Sequence, residues 1–333
     1  MNKRITYKRA IVTILISTVL LFSIFSQAVK EAQDERDRVT INMGVMKGPS
    51  GFSAAGIAME NGEINDLTRI ELGVYSSPNE VIAKLSNGEL DMAALPTNVA
   101  AKLYNKGVGI RLAAITGEGM LQFITTDPSI ETFEDLRGRT VTVPGQGATP
   151  DQLTQIYFSA FGYDTTDFIS LDYSVASAAQ LTQLFIAGKK DLIVLPEPFL
   201  TMAKTKQPDT IILLDYQNIW QALTGVENYP ITVLVVSDAF AQEHPEQLTA
   251  ALEKVEQSIE WVNGNPAEAA SKIEELQILT AALAEPSIPY CNLVYITGED
   301  ALERLDMYFS ILQGFDYESI GGSIPDEQFY LEK

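Results

Sequence analysis

Histidine and cysteine are nearly absent from this chain: His244 and Cys291 stand alone among its 333 residues. One imidazole and one thiol cannot assemble the usual zinc site of three or four such ligands. Nor do two residues so far apart read as a nucleophile and its base. His244 lies in Gln242-Glu243-His244-Pro245, which reads as an exposed helix entrance. A single cysteine also excludes an intramolecular disulfide, so the fold must rest on its core. Basic residues are few, 23 against 44 acidic ones. That balance excludes a nucleic-acid partner, which needs concentrated positive charge, and favours solubility. Low-complexity tracts are missing, and 46% of residues are hydrophobic, as in a folded globular protein. Acids are plentiful, but no pair stands out by spacing. No metal, no cofactor and no catalytic residue is expected.

Long apolar runs are also missing, with one exception. Lys3, Arg4, Lys8 and Arg9 precede an uncharged apolar stretch over residues 10–25, followed by Ser26-Gln27-Ala28. That order is a secretory leader with its cut after Ala28. The stretch falls short of the about 20 residues that span a bilayer, which disfavours a retained anchor. No cysteine stands near the cut to carry a lipid. Removing residues 1–28 takes the net charge from −21 to −25 and leaves 305 residues. A chain of that size is expected to form two domains, exported and monomeric.

What is present is an internal repeat. LSNGELDMAALPT (85–97) and FIAGKKDLIVLPE (185–197) align without gaps. Each reads as a helix end, a glycine turn, a short buried strand and a proline stop. Gly-x-x-Asp is also a common helix-to-strand turn, so the pair alone is not proof. The surrounding pattern supports it. Strands are expected at 39–46, 70–75, 91–95, 111–116 and 121–126, with helices at 49–62 and 98–105 and another opened by Ser77-Pro78-Asn79-Glu80. A polar helical turn over 132–139 leads into a second set: strands at 140–143, 168–173, 192–195 and 211–214, with helices at 150–161 and 178–187. The alternation predicts an α/β fold of two lobes with parallel sheets. The β-branched strand at 231–236 reads as the return to the first lobe. The chain then crosses twice, near 125–140 and 225–235, which makes a two-stranded hinge. The lobes are expected at 39–130 with 231–333, and at 131–230. Apolar stripes at Leu248, Leu252, Val255, Ile259 and Val262, and at Leu302, Leu305, Phe309 and Leu312, read as helices packed on the first lobe.

In such sheets ligands sit beyond the carboxyl ends of the strands. Three loops lie there. Lys47-Gly48-Pro49-Ser50-Gly51 and Gly145-Gln146-Gly147-Ala148-Thr149-Pro150 each join a strand to a helix, whose free N–H groups and dipole hold anions. Thr149 with Gln152 also reads as a capping box, with Pro150 at the first helical position. Thr149 then either caps or meets ligand. Neither loop has the Gly-Lys-Ser/Thr ending of a nucleotide-hydrolysing loop. The third, Pro96-Thr97-Asn98, offers hydroxyl and amide groups or merely caps. Glu197, fixed between Pro196 and Pro198, is either an acid for a cationic ligand group or a helix-start carboxylate. Phe52, Tyr75 and Tyr229 are aromatic walls or ordinary core. The candidate ligand-binding set is Lys47, Ser50, Gly51, Phe52, Thr97, Asn98, Gln146, Gly147, Ala148, Thr149, Glu197 and Tyr229.

Seven segments, GVMKGPSG, LSNGELDMAALPTNVA, LYNKG, EDLRGRTVTVPGQGATPD, LPEPF, PYCNLVYI and SIGGSIPDEQFY, are spread over nearly the whole of residues 39–330. Together they resemble the SsuA/THI5-like group of solute-binding proteins of bacterial ABC importers, nearest a less characterised subgroup. The resemblance implies a type II periplasmic-binding-protein fold, a small solute held between the lobes, and a permease with its ATPase as partners. It does not imply which solute, because the group includes binders of nitrate, sulfonates, taurine and pyrimidine precursors. The alternative is an enzyme on the same two-lobe fold, of the menaquinone-pathway or pyrimidine-precursor type. The leader disfavours the first. The fungal enzyme branch uses an active-site histidine and a Cys-rich motif, and neither is present here.

Overall fold

The computed structural model describes residues 38–331, so the expected leader lies outside them. The first sheet collects β1 (Val39–Met46), β2 (Glu63–Asn65), β3 (Thr68–Tyr75), β4 (Met92–Pro96) and β5 (Ile110–Glu118). The chain then leaves for a second sheet of β6 (Leu121–Thr125), β7 (Thr140–Thr142), β8 (Ser170–Asp172), β9 (Leu192–Pro196) and β10 (Ile211–Asp215). It returns as β11 (Pro230–Ser237), and β12 (Leu293–Ile296) closes the edge. The strand orders are β12-β5-β11-β4-β1-β3-β2 and β10-β6-β9-β7-β8. The series β5-β11-β4-β1-β3 and β10-β6-β9-β7-β8 follow one plan, so the two lobes repeat.

The hundred-residue repeat is the centre of that plan. β4 and β9 occupy equivalent places and are buried on both faces up to their terminal proline, as the apolar runs require. Gly88 and Gly188 take left-handed conformations, with φ of 73° and 67°. In one lobe Gly88 N–H donates to Leu85 O and Glu89 N–H to Lys84 O; in the other, Gly188 N–H donates to Phe185 O and Lys189 N–H to Leu184 O. These are the paired bonds that terminate a helix with a C′ glycine. The aspartates then pin the neighbouring strands. Asp91 accepts from Asn42 N–H of β1 at 2.8 Å, and Asp191 accepts from Arg139, just before β7, at 3.0 Å.

Two expectations need correction. The sheets are not wholly parallel: β11 runs antiparallel to β4 and β5, and β6 antiparallel to β9 and β10. Each of these strands enters its sheet from the cleft end, coming from the other lobe, and so runs backwards among its neighbours. The first crossing is also earlier than the expected 125–140. Leu121–Thr125 pairs with β9 in the second sheet, so the chain crosses at Gly119–Met120 rather than after residue 125. Glu118 faces Pro230 in register, which sets the two crossings side by side.

The helices are α1 (Pro49–Ser53), α2 (Pro78–Ser86), α3 (Thr97–Asn105), α4 (Thr149–Ala160), α5 (Ala178–Ile186), α6 (Phe199–Lys206) and α7 (Tyr216–Thr224). After the return come α8 (Asp238–Glu243), α9 (Pro245–Gly264), α10 (Pro266–Glu275), α11 (Ala281–Ser287) and α12 (Gly298–Asp316). The helix expected over 49–62 stops at Ser53, and a 3-10 turn at Ile57–Glu60 follows. Gly56 sits against Ser258 of α9, where a Cβ would come within 2.8 Å. The stripe of α9 buries Leu248, Val255, Ile259 and Val262 against the β1 side of the first lobe. The stripe of α12 buries Leu305, Phe309 and Leu312, while Leu302 remains exposed. Among the described residues, no helix is long and apolar enough to cross a membrane.

Candidate functional site

A cavity of about 600 Å³ opens between the carboxyl ends of the two sheets. The first lobe lines it with Met46, Lys47, Pro49, Ser50, Ser76 and Pro96, and the second with Gly145, Ala148, Thr149, Ser177, Gln180, Gln183, Phe199 and Met202. Met120 and Leu121 of the first crossing and Ile231 and Thr232 of the returning strand form its floor. The lining is mainly apolar, and among the described residues Lys47 is its only charged side chain. Lys47 is exposed and makes no salt bridge among the described residues.

Of the residues chosen from sequence, Lys47, Ser50, Ala148 and Thr149 line this cavity. The others do not. Gly51 lies beneath Ile278, whose Cδ1 would sit 2.8 Å from an added Cβ. Phe52 is wholly buried in the first-lobe core. Thr97 is wholly buried while its neighbour Pro96 meets the cavity. Gln146 points to solvent. Asn98 and Gly147 meet each other: Asn98 Nδ2 donates to Gly147 O at 2.7 Å. Tyr229 is wholly buried, accepts from Leu121 N–H at 3.3 Å and packs edge-on to Trp220. It therefore braces the hinge. Gly119 must be glycine for that packing, since a Cβ would come within 2.6 Å of the Tyr229 ring.

The electrostatics turn on which helix starts keep their dipole free. The 145–150 loop does not. Gly147 N–H donates to Asp151 Oδ2 at 2.7 Å, and Gln155 and Tyr173 hold the other oxygen at 2.8 Å each. A carboxylate of the helix itself thus occupies the anion position. Thr149 does not cap α4 as expected; that helix has no side-chain cap. The Thr149 hydroxyl instead receives Tyr308 Oη at 3.0 Å and reaches Asn98 Oδ1 at 3.4 Å. Glu80 does the same for α2, accepting from Ser76 N–H at 3.2 Å. Glu197 does it for α6: its Oε2 accepts from Thr201 N–H at 3.0 Å, and the side chain is turned away from the cavity that Pro196 and Phe199 line. Burial pushes the Glu197 carboxyl above the usual glutamate range, although the Thr201 bonds and Lys204 pull it down.

Like the starts of α1 and α3, that of α5 carries no compensating acid. It has no acid in its first turn, and its Ser177 cap makes one long bond, 3.5 Å, to Gln180 N–H. Residues 176–180 face the cavity opposite Lys47. Sequence reasoning named the α4 loop and not this helix start, although residues of both line the cavity. The distinguishing signal was present: Asp151 lies in the first turn of α4, whereas Ser177-Ala178-Ala179-Gln180 carries no acid.

Comparisons with known proteins agree with this geometry. The chain is 28% identical to an ABC transporter protein from Parabacteroides distasonis, with a TM-score of 0.74 over 88% of this chain and 99% of that one. The periplasmic aliphatic sulphonate binding protein SsuA from Escherichia coli shares the fold at 14% identity, TM-score 0.71, over 88% of this chain and 92% of that one. The alkanesulfonate-binding protein SsuA from Xanthomonas axonopodis, bound to MOPS, does so at 13%, TM-score 0.68, over 87% and 96%. A comparison with curated proteins finds no match. The model of the NMT1/THI5-like family matches residues 69–269. With that span and two lobes of repeated plan around a cleft, the chain belongs to the NMT1/THI5-like family.

Proposed function

We propose that this protein is the solute-binding subunit of an ABC importer, exported after removal of residues 1–28 and acting as a monomer. It encloses one small organic solute between its lobes, delivers it to a permease and its ATPase, and carries out no reaction. The observation that carries this reading is the cavity of about 600 Å³ shared by both lobes, whose lining orients and packs rather than pairing an acid with a base. Its size and its few convergent polar groups suit a small ligand. The solute structures from Xanthomonas and Escherichia coli named above support the role by fold.

The lining also favours one solute chemistry. Lys47 from one lobe and the α5 start from the other offer positive potential, and no carboxylate lines the space. Met, Pro, Ile and Phe side chains make up most of the remaining wall. A solute with one anionic group and an apolar body matches both, and a cationic solute has no partner. Binding to both lobes stabilises the closed arrangement, which the transporter distinguishes from the open one. Native mass spectrometry of the exported protein tests the reading. One co-purified organic anion per chain is the expected result. A co-purified cation, or no retained mass together with no thermal stabilisation by any organic anion, overturns it.

A further inference from the structure

One wall of the cavity comes from a segment far from the strand-end loops. Helix α10 ends with Gln277 N–H donating to Glu274 O at 2.9 Å and Ile278 N–H to Ile273 O at 3.1 Å. That bond pair needs a left-handed residue, normally glycine, and here Gln277 takes it with φ of 56°. An L side chain holds such a conformation only when its surroundings fix it. Helix α11 starts again at once, with Leu283 and Ala284 N–H both donating to Thr280 O. Of the five residues between the helices, Ile278 and Leu279 reach the cavity.

Their anchoring differs. Ile278 rests on Gly51 of the first lobe, so closely that a Cβ there would meet its Cδ1 at 2.8 Å. Its position is therefore set by the first lobe alone. Leu279 packs against the first-lobe core and also against the second-lobe cluster that contains Phe199, Leu200 and Met202, and Leu283 packs against that second cluster. One residue bounds the space while the next grips the opposite lobe.

We propose that Ile278 determines the length of apolar solute the site accepts, and that Leu279 couples that same wall to lobe closure. The proposal rests on the reading of the cleft as a site for an amphiphilic anion. It follows from rigidity: Met46, Lys47, Met120 and Met202 are unbranched side chains that can bend aside, whereas Ile278 presents a β-branched side chain held from behind by Gly51. Truncating it frees room that flanking atoms do not refill completely.

Calorimetry of the full exported chain with a homologous series of straight-chain carboxylates and sulfonates, from butyrate to dodecanoate, tests this. The wild type is expected to show an optimum chain length. Ile278→Ala moves the optimum longer by about two methylenes, with affinity rising about fourfold for each one newly accommodated. Ile278→Phe moves it shorter. Leu279→Ala leaves the optimum in place and lowers affinity evenly across the series. Ile278→Val, one carbon smaller, replaces the alanine variant if that one does not fold. A wild-type optimum that stays fixed in all folded Ile278 variants overturns the inference and leaves the solute site standing. A wild type that binds no member of the series overturns the amphiphilic-anion reading, and this inference with it.

Discussion

Asn98→Ala should open the molecule. The Asn98 side chain is wholly buried, and its Nδ2 reaches from the first lobe to Gly147 O of the second at 2.7 Å. The same nitrogen lies 3.4 Å from Ser319 O, within its own lobe. When the lobes part, water replaces the partner of Gly147, whereas the Ser319 contact persists. The Gly147 bond therefore acts on the open–closed balance, and the Ser319 contact largely cancels from it. The Thr149 contact to Asn98, at 3.4 Å, is at the weak end of the range, and Thr149 keeps Tyr308 when Asn98 is lost. Alanine leaves a carbonyl without its donor in the closed form only, at about 1–3 kcal/mol. That shifts the balance toward the open form by roughly 5–150-fold. Small-angle scattering without added solute should give a larger radius of gyration for the variant. Trp220 should report the same change, because it is buried between Tyr229 of the second crossing and Tyr308 of α12. An unchanged scattering curve and unchanged Trp220 emission, with a lowered melting temperature, would refute the reasoning and make Asn98 a purely local support.

Lys47→Gln should weaken binding of the co-purified anion by about 1 kcal/mol, a modest loss because the ammonium is exposed, and salt should erase the difference; calorimetry at two ionic strengths checks it. Glu197→Gln should leave solute affinity unchanged, since the side chain serves Thr201 N–H rather than the cavity. Because burial raises the Glu197 pKa in the folded state, folded protein is favoured while the carboxyl is protonated. That contribution is full below the usual glutamate range and is lost as pH rises from there through the folded value. Glu197→Gln should flatten this part of a melting-temperature profile, and an unchanged profile would contradict it. Gly188→Ala should cost about 1–2 kcal/mol through the left-handed backbone alone, as no atom lies within 4 Å of the added methyl; denaturant titration measures it.

Most of the fold was legible because it is written in local terms. Gly88 and Gly188 mark helix ends, the strands expected at 91–95 and 192–195 are apolar runs before a proline, and the structure has them at Met92–Pro96 and Leu192–Pro196. The direction of β6 and β11 was not legible. Their residues are as apolar and β-branched as those of a parallel strand, and only the order of crossing between lobes reverses them. The site divides in the same way. The loops that approach it follow from strand–helix junctions, so Lys47, Ser50, Ala148 and Thr149 stand on the cavity wall. Whether an acid faces ligand or its own helix depends on a rotamer, and Asp151 and Glu197 both turned inward. Ile278 and Leu279 had no local mark, because their place depends on how α10 packs beside α1, a helix that precedes it by more than two hundred residues.

The position of β11 bears on how the chain comes to be folded at all. It lies between β4 and β5, yet it is made after the whole of the second sheet. As the polypeptide emerges from its amino end, residues 121–224 can collapse as one continuous stretch, while β4 and β5 wait, each with a bare edge where β11 belongs. Loop closure across that distance is slow, and bare edges invite pairing with other chains. The lobe that is begun first is therefore sealed last, and between those two moments the half-built first sheet is the part of the molecule most in need of a chaperone.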